Sequence, residues 1–104
     1  MISSDNIRSL VDKIVTTYQP NKIMLFGSYA TGQATDNSDI DLLIIKETDI
    51  PRHQRGREVR RFLYGLKIPM DIVVVTPQEL EQSRLHPYSF LATALLSAKT
   101  VYER

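Results

Sequence analysis

Cysteine and tryptophan are absent from this chain of 104 residues, and glycine occurs only four times. Without cysteine the chain can form neither a disulfide nor a thiolate metal site, and it lacks the usual mark of a small secreted domain. The low glycine content, with 42% hydrophobic and 24% charged residues, argues against a disordered or fibrous protein. We therefore expect a packed globular protein of the cytoplasm.

Long apolar runs and a strong charge imbalance are also missing. No stretch approaches the ~20 apolar residues of a membrane span, and the first residues lack the basic and apolar segments of a signal peptide. The formal net charge is +1, whereas domains that bind nucleic acid usually carry a clear basic excess. We expect no membrane association and no direct binding of nucleic acid, and the length fits one domain over residues 1–104.

Helix and strand patterns alternate along the chain. Apolar residues recur at helical spacing over residues 6–18, and short apolar runs predict buried strands at 22–26, 39–45 and 70–75. The strand at 39–45 is apolar on both faces, so it should be central. Further predictions are a helical turn at 28–32, a helix beginning at Pro51, a capped helix after Thr76, a last helix at 89–98 and an edge strand at 100–102. This order indicates an α/β or α+β fold, a small mixed sheet with flanking helices.

Three aspartates are expected to meet at one end of this sheet. Asp39 and Asp41 are two residues apart at the start of the central strand, so their side chains leave the same face. Asp71 begins the next strand, and the helix between them makes the two strands parallel neighbours with their starts together. Three carboxylates repel by about 1 kcal/mol per pair at 4 Å in water, and by more when half buried. Because no Lys or Arg adjoins them in sequence, we expect Mg²⁺, in two ions, as the partner.

Gly27 and Ser28 supply the complementary chemistry. The first strand ends at Gly27, and its short connection to the central strand suits antiparallel pairing, which brings this end beside the aspartates. Glycine lets a ligand approach the backbone, while the N–H groups of the following turn and the Ser28 hydroxyl favour phosphate oxygens. Each motif alone is usually a plain turn or a surface aspartate pair. Together they predict a phosphoryl or nucleotidyl transfer site.

At this point the sequence resembles the minimal nucleotidyltransferases of the DNA polymerase β superfamily. The matching segments are LFGSYATG at 25–32, SDIDLLI at 38–44 and MDIV at 70–73. The resemblance implies a polymerase β-like fold in which Asp39 and Asp41 bind both metals and Asp71 holds the catalytic one and helps to activate the acceptor hydroxyl. Gly27 and Ser28 would hold the triphosphate. Many relatives carry Arg where this chain has Thr31.

The resemblance also implies a partner. Relatives of this size commonly pair with a helical HEPN-domain protein as toxin and antitoxin, and some transfer AMP to a tyrosine of that partner. The implied function is thus transfer of AMP from ATP to a hydroxyl of a HEPN-domain protein, with this chain as the antitoxin. Two alternatives stay open, namely transfer to a small molecule such as an aminoglycoside and inhibition by binding alone. Since no residues remain for an acceptor domain, a partner or a second copy should close the site.

Several other side chains have two interpretations. Five arginines between residues 52 and 61 could bind RNA, DNA or an acidic partner, but a solvated helix face beside an apolar stripe explains them as well. They are Arg52, Arg55, Arg57, Arg60 and Arg61, and the stripe is Val59, Phe62, Leu63 and Leu66. Tyr29 could stack on a base or pack beside the turn, and Tyr64 and Lys67 could reach the triphosphate. His53 and His86 lack ligand spacing and are not expected to bind metal.

Overall fold

The computed structural model describes residues 2–104. In chain order the elements are α1 (Ser4–Tyr18), β1 (Lys22–Phe26), α2 (Ser28–Thr31), β2 (Ile40–Ile45), α3 (Arg52–Phe62), β3 (Met70–Val75), α4 (Pro77–Ser83), α5 (Phe90–Leu95) and β4 (Lys99–Glu103). The strands β1 and β3 have the predicted bounds. Among the helices of residues 2–104, none is long and apolar enough to cross a membrane.

The four strands form one mixed sheet in the order β3-β2-β1-β4. Strand β2 runs parallel to β3 and antiparallel to β1, and β4 pairs antiparallel with the far side of β1. The central position of β2, the crossover through α3 and the edge position of β4 were all predicted from the sequence. The mixed sheet with flanking helices confirms the predicted fold class.

The strong apolar character of β2 reflects a core on each face of the sheet. Since side chains alternate along a strand, Ile40, Leu42 and Ile44 join one core with α1 and α3. Leu43 and Ile45 join a second, smaller core with Phe26, Val75 and the α5 residues Leu91 and Ala94. The two faces of the sheet therefore carry different helices.

The apolar stripe predicted for α3 is half right. Val59 and Leu63 are buried, but Phe62 and Leu66 are each 39% exposed. Phe62 is the last residue of the helix, and the chain turns after it. Its side chain and that of Leu66 therefore lie at the rim of the core.

Arg55 is buried, so the solvated face expected for all five arginines is wrong at this position. Its Nε donates to the carbonyl of Ile50 at 2.8 Å and its Nη1 donates to Glu79 Oε1 at 2.6 Å. Glu79 in turn accepts from the backbone N–H of Thr76 at 2.8 Å, while the Thr76 hydroxyl accepts from the Glu79 N–H. The predicted capping box of α4 is thereby confirmed, and it is tied to α3 by an ion pair.

The last helix is shorter than predicted. Ser89 precedes it as the N-cap and accepts from the N–H of Ala92 at 3.2 Å. The helix ends at Leu95 rather than at Ala98, because the chain must extend again for Lys99 to pair with Leu25.

Candidate active site

Strand register brings the predicted residues together. Asp41 lies directly opposite Asp71 across the parallel pair, and directly opposite Phe26 across the antiparallel pair. Asp39 lies just before the first residue of β2, and Gly27 just after the last residue of β1. The end of β1 and the starts of β2 and β3 therefore form one edge, as predicted from the sequence.

The carboxylates face the α5 side of the sheet. Asp41 lies on the same face of β2 as Leu43 and Ile45, which belong to the α5-side core. Asp71 likewise lies on the same face of β3 as Val75, which belongs to that core. Side chains two apart on a strand share a face. A substrate bound to these aspartates must accordingly approach from the α5 side.

Gly27 makes room for the carboxylate of Asp41. Its φ is +71° and its ψ is −152°, a region that is essentially restricted to glycine. A Cβ atom at this position would lie 2.2 Å from Asp41 Oδ2, which is far inside van der Waals contact. The sequence predicted a glycine that admits a ligand, but it did not reveal that the same glycine makes room for the carboxylate of Asp41. The Gly27 and Asp41 positions are therefore sterically coupled.

Repulsion within the cluster is visible at Asp41. Burial raises the pKa of this half-buried carboxyl, and the negative charges of Asp71 and Asp39 raise it further, as does a hydrogen bond to the Asp71 carboxylate. Asp39 and Asp71 are exposed. Two carboxylates that share a hydrogen bond beside a third have a deficit of positive charge, which a cation would offset.

The donor set suits a hard divalent cation. All the available groups are carboxylate oxygens, which Mg²⁺ prefers. In residues 2–104, no three His, Cys, Asp or Glu side chains already stand in a metal-holding arrangement. Binding would thus require the carboxylates to rotate, and the exposed Asp39 and Asp71 have the room to do so. The assignment of these three residues as metal ligands stays a prediction.

The turn after β1 is compact. The backbone N–H groups of Ala30 and Thr31 donate to the carbonyl of Gly27 at 3.0 and 3.2 Å. The backbone N–H groups of Ser28 and Tyr29, at the start of α2, have no acceptor within the helix and can donate to other acceptors. The Thr31 hydroxyl donates to the carbonyl of Ser28 at 3.3 Å, so this side chain turns back on its own helix. Phosphate binding by Gly27 and Ser28 remains a prediction with suitable local geometry.

The structure also shows the surroundings of the other side chains that had two interpretations. Tyr29 packs against the core on the α1 side, and its hydroxyl accepts from the N–H of Ile2 at 3.0 Å. Packing is therefore the correct alternative for Tyr29. Tyr64 and Lys67 are exposed in the turn after α3, and nothing in their surroundings tests a role in binding triphosphate. Among the arginines, Arg52, Arg57 and Arg60 line a groove beside β3.

Two curated relatives from Methanocaldococcus jannaschii are similar in sequence. The chain is 36% identical over 87 residues to "Putative protein adenylyltransferase MJ1305", a match that covers 79% of this chain and 58% of that protein. It is 44% identical over 45 residues to "Putative protein adenylyltransferase MJ0604", which covers 41% of this chain and 45% of the relative. The chain spans about half the length of the curated relatives it matches.

Two solved structures share the fold. A crystal structure of a "putative nucleotidyltransferase" from Sulfolobus solfataricus superposes with a TM-score of 0.65 and 21% identity, over 94% of this chain and 78% of that one. A toxin–antitoxin structure with AMP-PNP superposes with a TM-score of 0.59 and 20% identity, over 93% and 73% of the two chains.

A sequence model of a protein family matches most of the chain. The model described as polymerase beta, nucleotidyltransferase matches residues 9–104, which includes all three aspartates and the Gly27–Ser28 turn. This match confirms the resemblance that the motifs predicted. The chain therefore belongs to the polymerase β nucleotidyltransferase family.

Proposed function

We propose that this chain is a metal-dependent nucleotidyltransferase that transfers AMP from ATP to a hydroxyl group of a protein partner. The observation that carries the proposal is the register of Asp41 against Asp71, beside Asp39 and Gly27, on one face of the sheet edge. A relative named as a protein adenylyltransferase supports a protein acceptor. A structural neighbour that is a toxin–antitoxin complex with AMP-PNP supports an adenine nucleotide and a paired partner.

The reaction requires a new bond between the acceptor oxygen and the α-phosphorus, with loss of pyrophosphate on the opposite side. Asp39 and Asp41 would hold two Mg²⁺ ions and Asp71 the catalytic one, and bound Mg²⁺ supplies charge neutralisation of the attacking and leaving oxygens. The Asp71 carboxylate accepts the proton of the acceptor hydroxyl as the new bond forms. Gly27 and Ser28 hold the triphosphate and keep the leaving group in line.

The partner in this proposal is a HEPN-domain protein, and the chain acts as its antitoxin. The added AMP places a negative charge on the partner, which repels nucleic acid from any site near the modified hydroxyl. A flexible segment of the partner can deliver its hydroxyl to an open edge without a dedicated pocket in this chain.

The test is mass spectrometry of a HEPN-domain protein after its co-expression with this chain. Wild type should add one AMP to the partner, and Asp71→Asn should reduce the modified fraction at least a hundredfold. Asp49→Asn is the matched control, since it removes an exposed aspartate outside the site, and it should modify the partner normally. If the partner has the same mass with wild type and with Asp71→Asn, while both inhibit it equally, inhibition by binding alone is the correct function.

A further inference from the structure

Phe90 is an aromatic side chain that the core does not need. It is the first residue of α5, and it is 62% exposed. Its ring meets the buried ring of Phe26 edge-on, with centroids 5.9 Å apart and an interplanar angle of 79°. Phe26 therefore holds the Phe90 ring from one side, and more than half of the Phe90 side chain stays exposed.

This ring is joined to the aspartate face of the sheet through Phe26. Phe26 is directly opposite Asp41 in the antiparallel pair, and side chains in such positions share a face with their Cβ atoms about 5 Å apart. Because Phe90 contacts Phe26, a single side chain connects the Phe90 ring with the position of Asp41.

Phe90 also stands at a cleft between α4 and α5. The cleft has a volume of about 700 Å³, which is within the ~300–1,000 Å³ typical of small-molecule sites. Three of its lining residues are apolar, namely Leu85, Phe90 and Leu91, and the others are polar or charged: Arg52, Glu79, Gln82, Ser83, His86 and Ser89. One wall of this cleft is thus shared with the aromatic pair beside Asp41.

The aromatic residue that the sequence suggested for base stacking is not available. Tyr29 packs on the opposite face, with its hydroxyl bonded to the N–H of Ile2. We propose that Phe90 is the stacking residue instead, and that the base of the nucleotide stacks on the Phe90 ring where this ring borders the α4–α5 cleft. This inference rests on the proposed function, and it assigns the nucleoside to the α5 side while the phosphates lie at Gly27.

If the base stacks on Phe90, removing the ring should weaken the binding of ATP but not the binding of a ligand that has no base. Calorimetry in Mg²⁺ buffer should show that Phe90→Ala binds ATP about 10-fold to 100-fold more weakly, the range expected for one stacked base. Affinity for inorganic triphosphate, which has no base, should stay within twofold of wild type. Phe90→Trp should keep ATP affinity, whereas Phe90→Leu, which keeps apolar bulk without a ring, should not.

Tyr88→Ala is the matched control, because Tyr88 is 98% exposed in the same connection and should leave both affinities unchanged. Equal losses for ATP and triphosphate in Phe90→Ala would make Phe90 a structural residue and overturn the inference. Unchanged ATP affinity with a raised KM for the protein acceptor would assign the cleft to the acceptor and overturn it too. Failure of wild type to bind ATP in Mg²⁺ buffer would instead overturn the proposed function.

Discussion

Gly27 and Gly32 have similar φ angles, +71° and +79°, but their surroundings differ. A Cβ at Gly27 would lie 2.2 Å from Asp41 Oδ2, while one at Gly32 would meet nothing within 4 Å. We expect Gly27→Ala to push the Asp41 carboxylate aside and lower AMP transfer at least a hundredfold, since displacements of about 1 Å have such effects.

Gly32→Ala is the control that distinguishes the steric clash with Asp41 from the backbone strain of a side chain at positive φ. Both substitutions place a side chain at positive φ and should lower the free energy of unfolding by about 1–3 kcal/mol. Transfer by Gly32→Ala, measured well below its melting temperature with labelled ATP, should stay within a few-fold of wild type. Equal loss of transfer in the two variants would show that strain, and not the Asp41 position, controls activity.

At the residue scale, the carboxylates were easier to predict than their surroundings. The two-residue period predicted a shared face for Asp39 and Asp41, but β2 begins at Ile40 and Asp39 lies just before it, so only the register of Asp41 against Asp71, which follows from the crossover, is confirmed. The steric demand at Gly27 and the exposure of Phe90 could not be predicted, because both depend on how separate strands and helices meet. Arg55 was missed for a similar reason: its partner Glu79 is 24 residues away, and helical spacing alone suggested a solvated position.

The Arg55–Glu79 pair connects α3 with α4. Burial raises the pKa of Glu79, but the hydrogen bond from the Thr76 N–H and the Arg55 guanidinium lower it more, so the net pKa lies below its usual value. A carboxyl with a lowered pKa stabilises the fold above its usual pKa, and this contribution disappears as the pH falls through the lowered pKa.

Glu79→Gln should therefore cost about 1–3 kcal/mol of unfolding free energy at pH 7, less than a fully buried pair because Glu79 is partly exposed. The loss should shrink as the pH falls from ~4.5 through the lowered pKa of Glu79, since wild type loses the same interaction over that interval. Urea unfolding at pH 7 and at about pH 3 measures both effects. Glu81→Gln is the control, because its pair with Arg84 is exposed and should contribute at most a few tenths of a kcal/mol. A constant difference between wild type and Glu79→Gln across this pH range would contradict the assignment.

At the element scale, strands were predicted better than helix ends. Strands β1 and β3 read as continuous apolar runs because both of their faces are covered, and such runs have sharp boundaries in sequence. The ends of α3 and α5 depend on where the chain must turn toward the next strand. Phe62 and Leu66 fit the helical period, which predicts that they are buried. They are partly exposed because they lie at the rim of the hydrophobic core.

The whole molecule should respond to nucleotide as one unit. The site combines β1, β2 and β3, which are intact together only in the folded state, so a ligand of this site stabilises the entire fold. Free ATP with Mg²⁺ at 100 times its Kd should add about 2.7 kcal/mol, which corresponds to a rise in Tm on the order of 10 °C.

Thermal denaturation with ATP, with and without a chelator, measures this shift. The chelator should remove most of the rise, and Asp41→Asn should show a much smaller one. If ATP raises Tm equally with the chelator present, the nucleotide binds without the metal and the carboxylates have another role.

The two-residue alternation of β2 also limits how the gene can change in length. One codon added or removed between residues 41 and 43 would put Asp41 on the α1 side while Leu43 and Ile45 stayed on the α5 side, so Asp41 would lie on the face opposite to Asp71. The same change in the segment 33–38, which precedes β2 and is mostly exposed, would leave the alternation of every strand intact. Insertions and deletions tolerated by selection, or introduced by an engineer, should therefore collect in that segment and avoid β2.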